Sequence, residues 1–291
     1  MRMITKALGT CLSLCISVSM HAQCDTSRIL YYEEADQHVF EQYITYMKQE
    51  GITHMDSLMI RSARFFLEIP YVASTLEKEP EGLVINLREM DCTTFVENVL
   101  ALSRTLQGMD PSFNAFCDTL QSLRYRNGLI HDYTDRLHYM ADWLYENERK
   151  KIIHNITQEI GGIPLTLDLS FISTHPDSYK QLKERPEWIS KIAEKEKEIN
   201  QRPHYYLPKE AIDQYASDIE DGDILCFVTR IKGLDVTHVG IAYWQGNQLT
   251  FIHASSSAEK VIIQTSSLKE YMDGMKNCRG IWVARPLNLL K

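Results

Sequence analysis

The sequence contains no apolar run of the roughly 18 residues needed to span a bilayer once its first 23 residues are set aside. It also lacks an excess of basic residues, since 31 Lys and Arg stand against 39 Asp and Glu and the net charge is −8. That balance argues against a nucleic-acid partner. No internal repeat is visible, and no His-Glu-x-x-His motif of a helical zinc site occurs.

Residues 1–23 have the pattern of a signal peptide. Arg2 and Lys6 precede an apolar run from Ala7 to Met20, and a small residue, Ala22, lies at the expected cleavage site. We therefore expect a periplasmic or secreted protein. A lipid anchor on Cys24 is the alternative, which the bulky Gln23 before it disfavours. Residues 24–291 are long enough for one catalytic domain.

The chain has seven cysteines, of which the signal peptide would remove two. The odd remainder is Cys24, Cys92, Cys117, Cys226 and Cys278. In an oxidising compartment an unpaired thiol is either buried or kept for chemistry. Cys92 has the best local case for chemistry, and the pairing of the other four stays open.

Cys92 lies where a turn gives way to a helix. Apolar residues after it follow helical spacing, and Asp91 before it is suited to cap the helix. A thiol in the first turn faces unpaired N–H groups and the positive end of the helix dipole, which favours the thiolate. The sequence therefore predicts a nucleophile at Cys92; the alternative is a small apolar residue filling a helix start.

Helical patterns dominate residues 34–123. One runs from Glu34 to Phe66 with a break at Gly51, and another is predicted to open at Asp110-Pro111, with the aspartate as cap, and to end near Leu123. Residues 124–221 form an aromatic-rich elaboration with few strand signals, which we expect to wall a cleft. Within it, the charge-rich stretch from Ser178 to Asn200 predicts a solvated helix.

Residues 222–286 change character to short β-branched and aromatic runs separated by glycine and polar clusters. The predicted strands are 223–229, 236–244, 249–254, 260–265 and 280–284. Helices followed by an antiparallel meander predict an α+β fold, with the Cys92 helix laid across the sheet.

His238 lies inside the second of these strands, and alternation gives it the same face as Gly240 and Ala242. We expect the Cys92 helix to approach that face, because small residues leave room for it. A two-residue turn at Gly246-Asn247 would pair Gly240 with His253, placing His253 diagonal to His238 on one face. A one-residue slip would send His253 to the other face.

These residues predict a cysteine hydrolase. His238 would take the proton of Cys92 and pass it to the leaving amine, while His253 would orient His238. The thiolate pKa in such sites falls as low as ~3 to 4, so we expect an ion pair before substrate binds. The Cys92 N–H would donate to the oxyanion, with Tyr71 as a second donor. The alternative for His238 is a core histidine whose ring nitrogens are hydrogen-bonded and which has no catalytic role.

Several motifs give this chain a family resemblance that extends from about residue 55 to 286. They are Asp91-Cys92-Thr93-Thr94-Phe95-Val96, His238-Val239-Gly240, His253-Ala254-Ser255-Ser256, the stretch from Ile69 to Glu77, Arg136-Leu137-His138-Tyr139, Asp142-Trp143 and Gly233-Leu234-Asp235-Val236. The chain resembles the NlpC-type, papain-like cell-wall cysteine hydrolases, in the N-acetylmuramoyl-L-alanine amidase-like branch. The resemblance implies a papain-like core with added helical segments.

The resemblance also implies an activity. It is hydrolysis of the amide between the lactyl group of N-acetylmuramic acid and L-alanine, in soluble muropeptides, anhydro-muramyl ones included, with no metal and no cofactor. Cys92 maps to the nucleophile, His238 to the base and His253 to the orienting residue. More common NlpC-type sequences have Ser-Gly after the cysteine, whereas this chain has Thr93-Thr94. That departure favours the amidase branch.

Substrate contacts are predicted in the elaboration. Arg136 would bind a peptide carboxylate, His138 would hydrogen-bond a sugar or amide, and Trp143 would stack on a sugar ring. The alternatives are that Trp143 belongs to the core and that Arg136 pairs with an internal acid.

Three other functions stay open at this point. The same catalytic groups could cut between D-glutamate and diaminopimelate as an endopeptidase. A zinc amidase would need a ligand set that the spacing of His131 and His138 does not provide. A module that binds muropeptides without cleaving them would not need the complete Cys92, His238 and His253 trio.

Overall fold

The computed structural model describes residues 28–48 and 51–289. The helices are α1 Glu34–Met47, α2 Met55–Phe65, α3 Cys92–Gln107, α4 Phe113–Arg124, α5 Met140–Arg149, α6 Phe171–Thr174, α7 Pro186–Asn200, α8 Ile212–Tyr215 and α9 Leu268–Gly274. Short 3₁₀ turns occur at Arg126–Gly128, Tyr133–Asp135, Pro176–Ser178, Lys180–Leu182, Lys209–Ala211 and Ala216–Asp218. The predicted signal peptide and Cys24 lie outside the described residues.

The strands are β1 Leu30–Tyr31, β2 Leu83–Val84, β3 Ile153–Asn155, β4 Ile163–Leu165, β5 His204–Pro208, β6 Ile224–Thr229, β7 Val236–Gln245, β8 Gln248–Ser255, β9 Lys260–Ile263 and β10 Cys278–Pro286. Strands β6 to β9 pair in chain order, and β10 returns to the free edge of β6. All pairs in this sheet are antiparallel. The predicted α+β class and meander are confirmed.

The elaboration contributes more to the sheet than its sequence indicated. β3 and β5 pair with β10, and β4 extends the same edge beyond β5. The charge-rich helix is also shorter than predicted: α7 begins at Pro186, after two 3₁₀ turns. Proline at the first helical position explains that start, because its missing N–H is not needed there.

In the first half of the chain, the structure confirms one helix prediction and contradicts another. The break at Gly51 separates α1 from α2, as expected. The next helix, however, is capped by Ser112, whose side chain accepts the Ala115 N–H, so the predicted Asp110 cap is wrong. Ser112 is the cap because it lies three residues before Ala115, whose first-turn N–H has no partner within the helix.

The central strands are buried on both faces. Ile224, Cys226 and Val228 of β6 face one apolar cluster, and Leu225 and Phe227 face the other. The first cluster includes the apolar side of α3, and the second is covered by α8 and α9. Helices therefore cover both faces of the sheet. None of the described helices combines the length and apolarity required to cross a membrane.

Candidate active site

The start of α3 is built by a capping box. The Asp91 side chain accepts the Thr94 N–H at 2.8 Å, and the Thr94 hydroxyl accepts the Asp91 N–H at 2.9 Å. This reciprocal pair confirms the predicted N-cap and makes Cys92 the first residue of the helix. The Cys92 N–H has no acceptor among the described residues, so one first-turn donor is left free beside the Cys92 sulfur.

The β7–β8 register is the predicted one. Gln245 pairs with Gln248 around Gly246-Asn247, and Ile241 pairs with Ile252. His238 and His253 therefore lie diagonally on one face, and His238 Nε2 is 2.6 Å from His253 Nδ1. This contact occupies one ring nitrogen of His238, so Nδ1 is the ring nitrogen left to face other groups.

The side of the sheet on which α3 packs was predicted wrongly. Val239 and Ile241 belong to the cluster that contains α3, whereas Gly240 lies against Phe251 and the His253 Cβ on the opposite face. A Cβ on Gly240 would come 2.7 Å from the Phe251 ring, so glycine serves the packing of β8 side chains. The larger apolar side chains on the Val239 face offer more area to a buried helix.

Cys92 nevertheless reaches the histidine strand from the start of α3. The backbone of Val239, the residue after His238, hydrogen-bonds the Cys92 sulfur, and so does Thr93. Among the described residues no direct hydrogen bond joins this sulfur to His238. The sulfur thus lies against the backbone of the residue next to His238.

Burial changes the protonation of both groups. It raises the pKa of the Cys92 thiol to about 11, and the charge of Asp91 adds to the effect while the Val239 and Thr93 bonds oppose it. Burial, followed by the His253 ring, lowers the pKa of His238 to about 3. Both directions favour a neutral thiol beside a neutral imidazole, because a low-polarity site penalises each charge. They run against the expected ion pair.

Aromatic rings provide much of that burial. Phe227 lies opposite His238 in the ladder, and Phe251 and Tyr271 contact both histidine rings at centroid distances of 4.5 to 6.3 Å. The thiolate charge of Cys92 raises the pKa of Tyr271, after burial. Tyr271, on α9, was not predicted. Its sequence signal is its place in a short helix between β9 and β10.

Tyr71, the predicted second oxyanion donor, lies close to Cys92. It pairs with Met90 just before α3, and its own N–H is taken by the Glu259 carbonyl, so only the phenol is left as a donor. Burial and then the charge of Cys92 raise the pKa of this phenol. The hydroxyl therefore stays protonated at neutral pH and able to donate.

The Arg136 guanidinium is engaged within the protein. It contacts Glu81 and Glu77 at 2.9 Å each and donates to the Leu76 carbonyl, and the residue is only 7% exposed. These contacts match the alternative of an internal ion pair. They tie the elaboration to residues 76–81, downstream of Tyr71.

His138 and Trp143 also point into the protein. His138 Nε2 lies 2.8 Å from the Tyr133 carbonyl, and burial followed by the nearby Arg136 lowers the pKa of this histidine to about 3. Trp143 is 1% exposed and donates to the Glu97 carboxylate at 3.2 Å. A buried indole has no face for a sugar, so the predicted stacking is wrong and the core alternative holds.

The described cysteines Cys92, Cys117, Cys226 and Cys278 are all free. Three of them are buried, and Cys92 alone of the four is partly exposed. Across residues 28–48 and 51–289, no three His, Cys, Asp or Glu side chains cluster in a way that would hold a metal ion.

Comparisons with known proteins agree with this geometry at the family level. Residues 61–281 match the family model described as N-acetylmuramoyl-L-alanine amidase-like. No curated protein matches. The fold is similar to the crystal structure of an N-acetylmuramoyl-L-alanine amidase from Bacteroides uniformis, with 39% identity, a TM-score of 0.77, and coverage of 80% of this chain and 98% of that one.

Two further structures are similar. A Bacteroides fragilis protein described provisionally as a xylanase is 39% identical, with a TM-score of 0.74 and coverage of 77% and 99% of the two chains. A Legionella pneumophila protein shares the fold at 22% identity, with a TM-score of 0.66 and coverage of 87% and 94%. With three quarters of its length matched by one family model, this chain belongs to the N-acetylmuramoyl-L-alanine amidase-like family.

Proposed function

We propose that the protein is a cysteine-dependent amidase that cleaves the bond between the lactyl group of N-acetylmuramic acid and L-alanine in muropeptides. One observation carries this proposal. The Cys92 sulfur lies at the start of α3 against the backbone of Val239, directly after His238, whose ring is bonded to His253. Family membership then selects the peptidoglycan amide as the substrate bond.

In the first half of the proposed reaction, the Cys92 sulfur attacks the lactyl carbonyl carbon. His238 Nδ1 takes the thiol proton as the C–S bond forms, since its Nε2 is held by His253. The Cys92 N–H and the Tyr71 hydroxyl donate to the oxyanion. The proton then passes from His238 to the alanine nitrogen, the C–N bond breaks, and the peptide leaves as an amine.

In the second half, water hydrolyses the thioester between Cys92 and the lactyl group. His238 takes a proton from the water as the water oxygen bonds to the carbonyl carbon. The C–S bond then breaks, the thiolate recovers the proton, and the lactyl group leaves as a carboxylic acid. No co-reactant is needed. The fold that supports these steps is a papain-like arrangement, in which a helix presents the thiol to a histidine of an antiparallel sheet.

These steps are compatible with a Cys92 thiol and a His238 imidazole that are both neutral before substrate binds. Thiol and imidazole each stay uncharged in the buried site, so the proton moves as the substrate carbonyl is attacked. The contact between sulfur and imidazole is expected to shorten when substrate binds, as catalytic hydrogen bonds commonly do.

The test is digestion of a disaccharide tetrapeptide and its anhydro form, with mass spectrometry of the products. The amidase releases the intact peptide and sugar; an endopeptidase would leave a dipeptide on the sugar, and a glycosidase would split the disaccharide. We expect Cys92→Ala to lose at least about a thousandfold in kcat, and Cys117→Ala, at a buried cysteine of α4, to keep it. Cleavage by the Cys92→Ala variant would contradict the mechanism, and activity in EDTA would separate it from a zinc amidase.

We also propose that the protein is exported, because residues 1–23 have the composition of a signal peptide. Its substrate lies outside the cytoplasmic membrane. Mass measurement of the purified native protein would place the new N-terminus near residue 23, and a diacylglycerol mass on Cys24 would show a lipoprotein instead.

A further inference from the structure

The proposed proton path imposes a condition on both histidines. For His238 Nδ1 to accept the thiol proton, His238 Nε2 must carry its own hydrogen and donate it to His253 Nδ1, 2.6 Å away. His253 Nδ1 must therefore be unprotonated, which places the hydrogen of a neutral His253 on Nε2. Catalysis thus requires an acceptor at His253 Nε2.

Within the described part of the chain, strict hydrogen-bond geometry gives that nitrogen no partner, although the Gln264 side chain is close enough to act on the His253 ring through a hydrogen bond. His253 is 1% exposed, so its Nε2 cannot be satisfied by bulk water. An unpaired buried N–H is costly, and without an acceptor the alternative tautomer, with the hydrogen on Nδ1, would be favoured. In that tautomer His238 would have to accept at Nε2 and would present an N–H to Cys92.

The sheet places one amide side chain next to this nitrogen. His253 pairs with Ile262 across β8 and β9, so Gln264, two residues further along, lies on the same face and diagonal to His253. His238 stands in the same diagonal relation to His253 across β7 and β8. The three side chains form a line across three neighbouring strands.

Hydrogen bonds hold both the backbone and the side chain of Gln264 in this position. Its backbone N–H donates to the Phe251 carbonyl at 2.9 Å, and its carbonyl accepts the Thr250 hydroxyl at 2.7 Å. Its side-chain Nε2 donates to Ser266 Oγ at 2.8 Å. This bond uses one hydrogen of the NH₂ group, and the amide oxygen accepts from no other side chain among the described residues, so it is available as an acceptor. The amide also raises the pKa of His253 against the larger, lowering effect of burial.

We infer that Gln264 is a positioning residue that holds the hydrogen of His253 on Nε2, and thereby keeps His238 Nδ1 free to accept the proton of Cys92. The inference rests on the proposed cysteine mechanism but not on the substrate. Gln264 touches neither substrate nor sulfur and acts through the two histidines.

The test compares three variants. Gln264→Met keeps the length of the side chain and removes the acceptor, and Gln264→Glu keeps an acceptor and adds a negative charge. Gln248→Met makes the same exchange at the start of β8, where the glutamine side chain donates to the Thr265 carbonyl. Iodoacetamide alkylation of Cys92, followed by mass spectrometry of its peptide across pH 5 to 10, needs no substrate.

We expect Gln264→Met to slow alkylation at pH 7 at least about tenfold, the size expected when a buried donor loses its acceptor, and Gln248→Met to match the parent. In ¹⁵N-histidine NMR spectra, Gln264→Met should move His253 from the Nε2–H to the Nδ1–H tautomer. Gln264→Glu should restore the rate and shift the acid limb of the profile upward, since a carboxylate favours a protonated ring.

An unchanged alkylation rate and tautomer in a folded Gln264→Met variant would overturn the inference. If that variant does not fold, an unshifted pH profile in Gln264→Glu would overturn it equally. Slower alkylation in Gln264→Met, together with a parent protein that cleaves no muropeptide, would keep the positioning role and reject the proposed function.

Discussion

At the scale of single residues, the partners of a side chain decide its role. Trp143 and Arg136 have the chemistry to bind sugars and carboxylates, yet both are buried and engaged with internal acids. Glu97 receives the Trp143 indole as well as Arg124, at 2.7 Å. Such a carboxylate is stable in the interior only while its donors remain.

Trp143→Phe should therefore destabilise the protein by about 2 to 3 kcal/mol, because the buried Glu97 carboxylate loses a donor, and should leave kcat/KM of the folded enzyme unchanged. Urea unfolding and muropeptide kinetics measure the two effects. Trp188→Phe, at a partly exposed indole, should change neither. A raised KM at unchanged stability in Trp143→Phe would instead support sugar stacking.

At the scale of elements, the first turn of α3 has two opposing effects on Cys92. The free N–H groups of a helix start favour a thiolate, but the cap that forms this helix is a carboxylate. The charge of Asp91 raises the pKa of the Cys92 thiol, second only to burial. The residue that caps the helix thus also favours the protonated thiol of Cys92.

Two variants of Asp91 separate these effects. Asp91→Asn keeps an oxygen for the Thr94 N–H and removes the charge, so stability should hold while the pKa of Cys92 falls and alkylation at pH 8 becomes faster. Asp91→Ala should show the same faster alkylation and lose about 1 kcal/mol of stability with the cap. Equal alkylation of the parent and Asp91→Asn would show that this carboxylate does not act on the thiol.

At the scale of the whole molecule, folding lowers the pKa of three histidines to about 4 or below and so holds them neutral. Burial lowers the pKa of His138 and His238 to about 3 and that of His253 to about 4, from an ordinary 6.5. Between those values the unfolded chain binds more protons than the folded one, so folding stability falls as pH drops below 6.5. Asp235, whose pKa burial raises to about 6, acts in the opposite direction.

Urea unfolding at pH 7.0 and 5.0 should therefore show a large loss of stability at the lower pH, since three histidines outweigh one aspartate. His138→Gln, whose amide can still donate to the Tyr133 carbonyl, should reduce that loss by about 1 to 2 kcal/mol, at 1.36 kcal/mol per pKa unit. His38→Gln, at an exposed position, should leave the loss as it is. An equal loss in all three proteins would mean that His138 is not held neutral.

Local chemistry in the sequence was enough to predict the α+β fold, the start of α3 and the place of His253. Asp91 supplies its cap from within one turn, and Gly246-Asn247 sets the β7–β8 register within four residues. Alternation located the five main strands because each has a buried face. Short β3, β4 and β5 lacked such a signal, since their pairing partners are distant in the chain.

The tertiary structure alone decided which side chains are in contact and how far water is excluded from them. The side of the sheet on which α3 packs, the partners of Arg136 and Trp143, and the line from His238 to Gln264 all join segments far apart in sequence. Sequence spacing can place a thiol at a helix start and an imidazole on a strand. The charge that each carries depends on burial, which is a property of the packed molecule and not of any one segment.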